Sequence, residues 1–406
     1  VRPGPGLRAA GAGGGALMRI GLITGEYPPD QGGVGDFTAE LGQALVVLGH
    51  PVHVLTGRSE HERPAPQAPE VMVHRVVARW GWGCWRQIVS LARELELDVL
   101  NVQYQAAAYG MHPAINLVPR GRGRPPVAVT FHDLKVPYLF PKAGPLRQRA
   151  VWMLARRADG VIATNREDEL RLADLQPPLP NLVRIPIGSN IAPSPPAGYD
   201  RDVERARWGV EPEGLLLGYF GFLNESKGGE ELIEALGLLV EQGLPARLLM
   251  IGGRVGSSDP TNRAYGERVE GLIGDRGLAE RVQWTGFADV EQVSAALLAT
   301  DVCVLPYRDG VSLRRGTLHA CLAHGRAIVS THPAVDLPEA RDGETMLLAE
   351  PRDAADLARA VGRLAVDAAL RARLEEAAGG LAGLYTWEAI ARRSAAFFAT
   401  LIEEGR

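Results

Sequence analysis

Short apolar runs rich in β-branched residues alternate with amphipathic segments along most of the 406-residue chain, and this series occurs twice. Runs such as Ile20–Thr24 and Leu215–Tyr219 have the length of buried parallel strands, and helical periodicity follows each of them. Strands that alternate with helices are typical of a doubly wound parallel sheet. We therefore predict an α/β protein with two such domains.

The ends of the two series predict the domain boundaries. Residues 1–17 are mostly Gly, Ala and Pro and lack the apolar segment of a signal peptide, which indicates a disordered tail. We expect the first domain at 18–190 and the second at 201–386, joined by a proline-rich linker at 191–200. An amphipathic helix at 387–406 is long enough to cross back onto the first domain.

Composition excludes several classes of protein. The net charge of −4 argues against a nucleic-acid binder, and no apolar run is long enough to span a membrane. Cys84, Cys303 and Cys321 are odd in number and lack metal-ligand spacing, which predicts reduced thiols in a cytoplasmic protein without a metal site.

The segment at 301–331 places several arginine and hydroxyl side chains around the start of a predicted helix. Its sequence, DVCVLPYRDGVSLRRGTLHACLAHGRAIVST, predicts strand, loop, helix and strand. Ser312, Arg314, Arg315 and Thr317 fall around the start of the helix, beside Gly316. Free backbone N–H groups and the helix dipole favour an anion there, and arginines add charged donors, so we predict a phosphate site. The alternative is a loop with two solvated arginines.

A glycine-rich loop follows the first strand of each predicted domain. The first, GEYPPDQGGVGDF, contains Gly32, Gly33 and Gly35, and Asp36 is in position to cap the next helix. The second, GFLNESKGG, contains Lys227, one of only three lysines in the chain. Such loops let a ligand approach the backbone closely, although turns that need positive φ, or a surface lysine, would explain them equally.

Polar residues follow the predicted strands of the first domain, at the edge where doubly wound sheets bind ligands. Gln103 and Tyr104 end one strand, and His132 follows another. A histidine at this edge can exchange a proton near neutral pH, whereas a structural role is the alternative.

Arginines alternate with apolar residues at 146–157, and tryptophans crowd residues 80–85. Either segment could contact a membrane surface or a lipid-linked acceptor. Ordinary amphipathic packing is the alternative.

Six motifs, in their order and spacing, resemble the family 4 retaining glycosyltransferases of the GT-B fold: YPPDQGGVGDFTAELGQALVVLGHPVHVLT, VTFHD, RIPIGSNI, GYFGFLNESKGGEELIEAL, WTGFADVEQV and LPYRDGVSLRRGTLHACLAHGRAIVST. The resemblance implies two Rossmann-like domains that face each other across a cleft. It also implies a UDP- or GDP-linked sugar donor, retention of anomeric configuration, and no metal or other cofactor. The acceptor would be a glycan, a lipid-linked molecule or a small molecule.

The resemblance also assigns roles. His132 would lie near the transferred sugar, and Lys227 would bind phosphate. The remaining donor contacts would come from the glycine loops, the loop covering the base and the 301–331 segment: Gly32, Gly33, Gly35, Phe287, Ser312, Arg314, Arg315, Gly316, Thr317 and His319. Their position on the first domain makes Tyr27, Gln103 and Tyr104 acceptor candidates.

Three positions depart from the family pattern. Phe222 replaces an arginine before the loop lysine, and Val311 and His319 stand where the family has two glutamates. A lost phosphate contact costs ~1.5–3 kcal/mol, and we expect Arg314 and Arg315 to offset it. The alternative is a catalytically impaired GT-B subunit that acts as a binding or regulatory partner of another glycosyltransferase.

Overall fold

The computed structural model describes residues 17–30, 32–58, 71–121, 123–134, 144–189, 191–253 and 260–405. Except for Leu17, the expected N-terminal tail lies outside these ranges. The chain divides into two compact units, one of residues 1–130, 135–161 and 394–406, and one of residues 131–134 and 162–393. The second unit therefore includes 162–190, which we expected in the first domain. The predicted boundaries and linker stay predictions.

The first half of the chain forms a seven-stranded sheet in the order β3-β2-β1-β4-β5-β6-β7. Its strands are β1 Ile20–Thr24, β2 Val52–Gly57, β3 Val71–Val77, β4 Val99–Tyr104, β5 Val127–Phe131, β6 Gly160–Ala163 and β7 Leu182–Arg184. Its helices are α1 Gly33–Val47, α2 Cys84–Glu94, α3 Gly144–Arg157 and α4 Arg166–Ala173. β1 pairs in parallel with both β2 and β4.

The second half forms a six-stranded parallel sheet in the order β10-β9-β8-β11-β12-β13. Its strands are β8 Leu215–Phe220, β9 Ala246–Ile251, β10 Val282–Trp284, β11 Val302–Leu305, β12 Ala327–Thr331 and β13 Leu347–Ala349. Its helices are α5 Arg201–Arg207, α6 Gly229–Glu241, α7 Pro260–Asp275, α8 Val290–Ala299, α9 Gly316–Ala323, α10 Ala354–Val366, α11 Ala368–Ala382 and α12 Trp387–Glu404.

Both sheets confirm the predicted α/β class, and their strand orders locate their ligand-binding edges. The order reverses beside β1 in the first sheet and beside β8 in the second. Open α/β sheets bind ligands beyond the carboxyl ends of the strands at such a switch point. In each sheet the glycine-rich loop leaves the strand at this reversal, so the fold places both loops where a ligand is expected.

Apolar strands and helix faces bury the core of the second sheet on both sides. One layer contains Leu217, Leu236 and Val304, and the other contains Leu249, Leu305 and Ile328. The full burial of β11 and β12 explains their continuous apolar sequence. Cys84, Cys303 and Cys321 are all buried and free.

The last helix, α12, packs by tight local contacts at both of its ends. The Trp387 indole N–H donates to the Ser189 carbonyl at 3.0 Å. Near the other end, Phe397 and Leu401 lie so close to Gly160 that an added Cβ there would be 2.7 Å from each. A residue larger than glycine at 160 would push the helix away.

Candidate functional site

The candidate site is built from the two loops that flank the switch point of the second sheet, 221–228 after β8 and 306–315 after β11. Gly228 holds the loops together because its φ of +71° suits glycine and an added Cβ would overlap the Pro306 carbonyl oxygen. The Arg308 N–H donates to the Ser226 carbonyl at 2.9 Å. The backbone therefore sets the spacing of the side chains that follow.

Arg308 stabilises the first of these loops and does not serve as a free cation. Its side chain, 11% exposed, pairs with Glu225 at 3.3 Å, with Glu231 at 2.7 Å and with Glu230. Its guanidinium also lies 5.7 Å from the centre of the Tyr265 ring. These carboxylates raise the pKa of Arg308 further above its usual value despite partial burial. We interpret Arg308 as the residue that orders the loop carrying Lys227.

Lys227 and Thr317 approach the backbone closely at Gly221, which has a φ of +113°. A Cβ placed there would lie 3.0 Å from Lys227 Nζ and 2.8 Å from Thr317 Cγ2. Thr317 Oγ1 and the Tyr307 hydroxyl are hydrogen-bonded at 2.7 Å. Glycine therefore allows an ammonium group and a helix start to approach the loop backbone this closely. We call the residues around this point the Gly221 cradle (Gly221, Ser226, Lys227, Arg315 and Thr317).

Arg315 joins the cradle through three contacts. Its guanidinium lies 4.7 Å from the Tyr307 ring centre, donates to Ser226 Oγ at 3.4 Å, and pairs with Asp309. Its Nε is buried and has no hydrogen-bond partner within the described part of the chain. Arg314 also pairs with Asp309, at 2.9 Å. One carboxylate therefore orients both predicted arginines and leaves donor capacity on Arg315.

Lys227 is half-buried, and its surroundings disfavour its charged form. Burial lowers the pKa of the ammonium group to about 8, with a further contribution from the positive charge of Arg315. The group remains mostly protonated at pH 7 and loses its charge as the pH rises through about 8. An anion in the cradle would reverse this effect, because it favours the charged lysine.

Ser312 and His319 lie under the cradle in the interior. Ser312 Oγ is buried without a hydrogen-bond partner among the described residues. His319 Nε2 bonds to the Leu313 carbonyl at 2.7 Å, and its ring packs edge-on against Tyr385. Burial lowers the pKa of His319, so its imidazole is neutral. With Val311 also buried, neither of these two positions presents a carboxylate.

Two other predicted donor residues are more exposed. Phe287 follows β10 and is 93% exposed. Gly316 is the exposed first residue of α9. Their contacts with a donor stay predictions.

At the corresponding edge of the first sheet, a carboxylate occupies the start of α1. Glu26 Oε1 accepts from the backbone N–H groups of Val34 at 3.1 Å and Gly35 at 3.4 Å. Gly32 is the N-cap, and a side chain on it would overlap the Glu26 carboxylate. The predicted cap at Asp36 is wrong because the helix already begins at Gly33 and Glu26 satisfies its free amides.

His132 follows β5 in a well-supported turn. The Thr164 hydroxyl donates to the Phe131 carbonyl at 3.0 Å, and Asp168 accepts from the Leu134 N–H at 3.1 Å. The surrounding protein lowers the pKa of His132 to about 4 by desolvation, although the side chain keeps partial solvent access. The imidazole is therefore neutral at pH 7, when it can donate or accept a hydrogen bond.

The three acceptor candidates are all buried. Tyr27 is 6% exposed and Gln103 is fully buried. Gln103 donates to Asn101, and the Tyr104 hydroxyl accepts from Asn116 at 3.0 Å. These partners already engage the polar groups of Gln103 and Tyr104, so contact with an acceptor stays a prediction.

Sequence reasoning missed Glu26, Asp309 and Arg308. Asp309 lies in the same loop as Arg314 and Arg315, so an acid beside two bases was a usable signal. Glu26 precedes the amides that it caps by eight and nine residues, and local sequence rules do not cover that separation. Within the described ranges, no three His, Cys, Asp or Glu side chains converge as a metal site would require.

Comparisons with known proteins identify the class. One family model, "Glycosyltransferase Family 4", matches residues 31–191, and another, "Glycosyl transferases group 1", matches residues 214–367. A D-inositol 3-phosphate glycosyltransferase of Thermomonospora curvata is 25% identical over 412 aligned residues, with 93% of this chain and 94% of the relative covered.

Solved structures agree on the fold. A sucrose-phosphate synthase from Thermosynechococcus elongatus has a TM-score of 0.71 at 22% identity and covers 95% of this chain and 100% of its own. Anabaena HepE, solved in complex with UDP and glucose, has a TM-score of 0.69 at 18% identity and covers 94% of this chain and 100% of its own. The two parallel sheets are thus those of a GT-B glycosyltransferase. The chain belongs to the family 4 (group 1) glycosyltransferases.

Proposed function

We propose that this glycosyltransferase uses a nucleoside diphosphate sugar, UDP-linked in the first instance, and binds its diphosphate in the Gly221 cradle. The observation that carries the proposal is the convergence of Lys227 and Thr317 on the backbone of Gly221, with Arg315 bonded to Ser226 in the same loop. The cradle lies at the carboxyl edge of the sheet, beside the strand-order reversal, where α/β folds bind nucleotides.

The cradle has the charge that the leaving group requires. Breaking the bond between sugar and phosphate leaves negative charge on the diphosphate, and fixed cations stabilise that charge most strongly where water is partly excluded. Lys227 contributes a point charge, and Arg315 contributes planar donors that suit phosphate oxygens. Thr317 and the start of α9 add a hydroxyl and backbone N–H groups.

This proposal explains how the protein could function with Phe222 in place of the arginine of the family pattern. Phe222 is 44% exposed and supplies no charge where the family has an arginine. Arg315 reaches the same loop from the other side of the switch point, through its contact with Ser226. We therefore assign it the role of the missing guanidinium.

We propose retention of configuration, without a metal or other cofactor, with the leaving phosphate assisting deprotonation of the acceptor hydroxyl. Neutral His132 would hydrogen-bond a hydroxyl of the transferred sugar. The family resemblance supports this part of the proposal. Full activity in the presence of EDTA is the expected result, and activity that disappears with EDTA and returns with Mg²⁺ would overturn the metal-free mechanism.

The proposed donor and acceptor follow from the relatives. HepE has been solved with UDP and with UDP-glucose, which supports UDP over GDP as the first choice. The name of the Thermomonospora relative makes a phosphorylated cyclitol the first small acceptor to test. Glycans and lipid-linked acceptors follow.

The deciding experiment measures nucleoside diphosphate release from UDP-, GDP- and ADP-sugars with each acceptor class. We expect UDP release that depends on the acceptor, and an axial anomeric configuration carried over from an axial donor in the product NMR spectrum. Inversion in the product would overturn the retaining mechanism.

A second candidate function rests on Val311 and His319. Both positions are buried and neither has a carboxylate, so a catalytically impaired subunit that binds nucleotide for a partner glycosyltransferase is the competing proposal. UDP binding by calorimetry without release from any donor would favour the subunit. Release with any single donor would exclude it.

We also propose a cytoplasmic location for this protein, because its three cysteines are buried and free, as expected in a reducing compartment. Among the described residues, no helix combines the length and apolar character that crossing a membrane requires. Fractionation of the producing cells, with recovery of the protein outside the cytoplasmic and membrane fractions, would contradict this location.

A further inference from the structure

A basic groove lies on the first unit, and none of the residues that line it is assigned to the donor or acceptor above. It is a surface cavity of about 320 Å³ between α3 and the segment that precedes β5. Its lining consists of Arg120, Arg149, Trp152, Met153, Arg156 and Arg157. We call these six residues the α3 groove.

The charged residues of the α3 groove are all positive. Four of its six residues are arginines, and none is acidic. Arg120 and Arg149 are exposed, and the structure gives neither an acidic partner within the described ranges. Since the whole chain has a net charge of −4, the groove is a local concentration of positive charge, and general basicity does not explain it.

The position of one arginine shows that the groove is built into the fold. Arg157 Nε donates to the Val118 carbonyl at 2.7 Å, which ties the end of α3 to the segment before β5. The Asn116 side chain similarly donates to the Ala150 carbonyl at 3.0 Å. Both walls of the groove are therefore held in register.

The apolar residues of the groove narrow the choice of occupant. Trp152 and Met153 are half-buried and lie among the arginines. Free phosphate would need only the charges, whereas a membrane interface offers phosphates together with an apolar layer that accepts tryptophan and methionine. Arginines near an anionic bilayer attract its headgroups over about a Debye length.

We infer that the α3 groove docks the first unit on an anionic lipid bilayer, with headgroup phosphates against the four arginines and Trp152 at the interface. The inference goes beyond the proposed function. It concerns where the enzyme works and would hold whatever donor the second unit binds.

Co-sedimentation with vesicles tests the inference. The full chain is mixed at about 0.1 M salt with vesicles of phosphatidylcholine alone or with one third phosphatidylglycerol. We expect binding to the anionic vesicles only, and a loss of binding at 0.5 M salt. Equal binding to both kinds of vesicle, or to neither, would overturn the inference.

Matched variants assign the binding to the groove. Arg120→Ala/Arg149→Ala should weaken binding about 30-fold, the effect of two arginine charges at a membrane surface. The control, Arg359→Ala/Arg392→Ala, removes two exposed arginines of α10 and α12 and should bind as the wild type does. If both double variants lose binding equally, the attraction is not specific to the groove and the inference fails.

Two further experiments distinguish binding to lipid headgroups from binding to free phosphate. Millimolar inorganic phosphate should leave vesicle binding unchanged at constant ionic strength, and complete competition would show a free-anion site instead. Trp152→Ala should weaken binding severalfold with an unchanged melting temperature. Release of UDP from a soluble acceptor, measured without vesicles, should be the same in the groove variant and wild type, which separates this test from that of the proposed function.

Discussion

The two sheets present the same local architecture at their switch points but give it opposite charge. After β1, the loop leads into α1, and the Glu26 carboxylate fills the helix start by accepting from Val34 and Gly35. After β8 and β11, the loops bring Lys227 and Arg315 to the start of α9. The edge of the first sheet supplies its own anion, whereas the edge of the second sheet brings two cations together.

This difference shows that a glycine-rich loop at a helix start does not by itself define an anion site. Backbone N–H groups attract negative charge in both places. What separates the two edges is which side chain reaches those groups first. A carboxylate satisfies the first edge internally, while the second has unpaired donor capacity at Arg315 Nε.

Replacing Arg315 with alanine is the strongest way to break the comparison. We expect a ten- to hundredfold rise in the Kd for UDP, because a charged donor to phosphate is worth ~1.5–3 kcal/mol. Arg314→Ala is the matched control, because Arg314 pairs with the same carboxylate, Asp309, whereas it is Arg315 that contacts Ser226 and Tyr307. Its effect on the Kd should stay below threefold. Calorimetry that finds the same Kd for Arg315→Ala and wild type would remove Arg315 from the site.

Adding a methyl group at Gly221 tests whether a ligand binds in the Gly221 cradle. Gly221→Ala should raise the Kd for UDP about tenfold, because its Cβ would crowd Lys227 and Thr317 and the φ of +113° strains alanine. The control is Gly271→Ala within α7, where an added Cβ meets nothing within 4 Å. That variant should bind UDP as the wild type does and be equally or slightly more stable. If Gly221→Ala bound UDP with the wild-type Kd, UDP would not bind beside Gly221.

The pH dependence of UDP binding sharpens the electrostatic contrast. Lys227 has a pKa of about 8, so the unliganded lysine loses its charge between pH 7 and pH 9, and affinity should fall by up to about tenfold over that range. Binding at pH 8 should also take up protons, which calorimetry in buffers of different ionisation enthalpy detects. Lys227→Met should bind weakly at every pH. A wild-type Kd that is constant from pH 7 to pH 9 would contradict the assigned role.

The smallest expected effect concerns Glu26, at the ligand-binding edge of the first sheet. Glu26→Gln keeps an acceptor for the α1 amides but removes the charge, so the free energy of unfolding should fall by about 0.5–1 kcal/mol. The Kd for UDP should change by less than threefold, because Glu26 already satisfies these amides. A larger change in Kd would show that the α1 glycines contact the donor, as the family resemblance implies.

Much of this architecture could be predicted from the sequence, for a local reason. Buried parallel strands such as β11 and β12 are continuous apolar runs, and helices such as α12 repeat their apolar residues every three or four positions. The strand predicted at the start of the 301–331 segment and the helix predicted from residue 387 were confirmed, at Val302–Leu305 and Trp387–Glu404. The same rules failed at Asp36, because a residue from an earlier loop capped α1.

The sequence by itself determined the α/β class, the two series of strands and helices, and the residue types available for phosphate binding, since each depends on neighbours within a few positions. Only the tertiary structure decided that Asp309 orients two arginines, that Arg308 is fully occupied by three glutamates, and that Lys227 and Thr317 meet at Gly221. Those pairings join residues up to 96 positions apart, and their distances follow from strand order and loop packing, which no local pattern encodes.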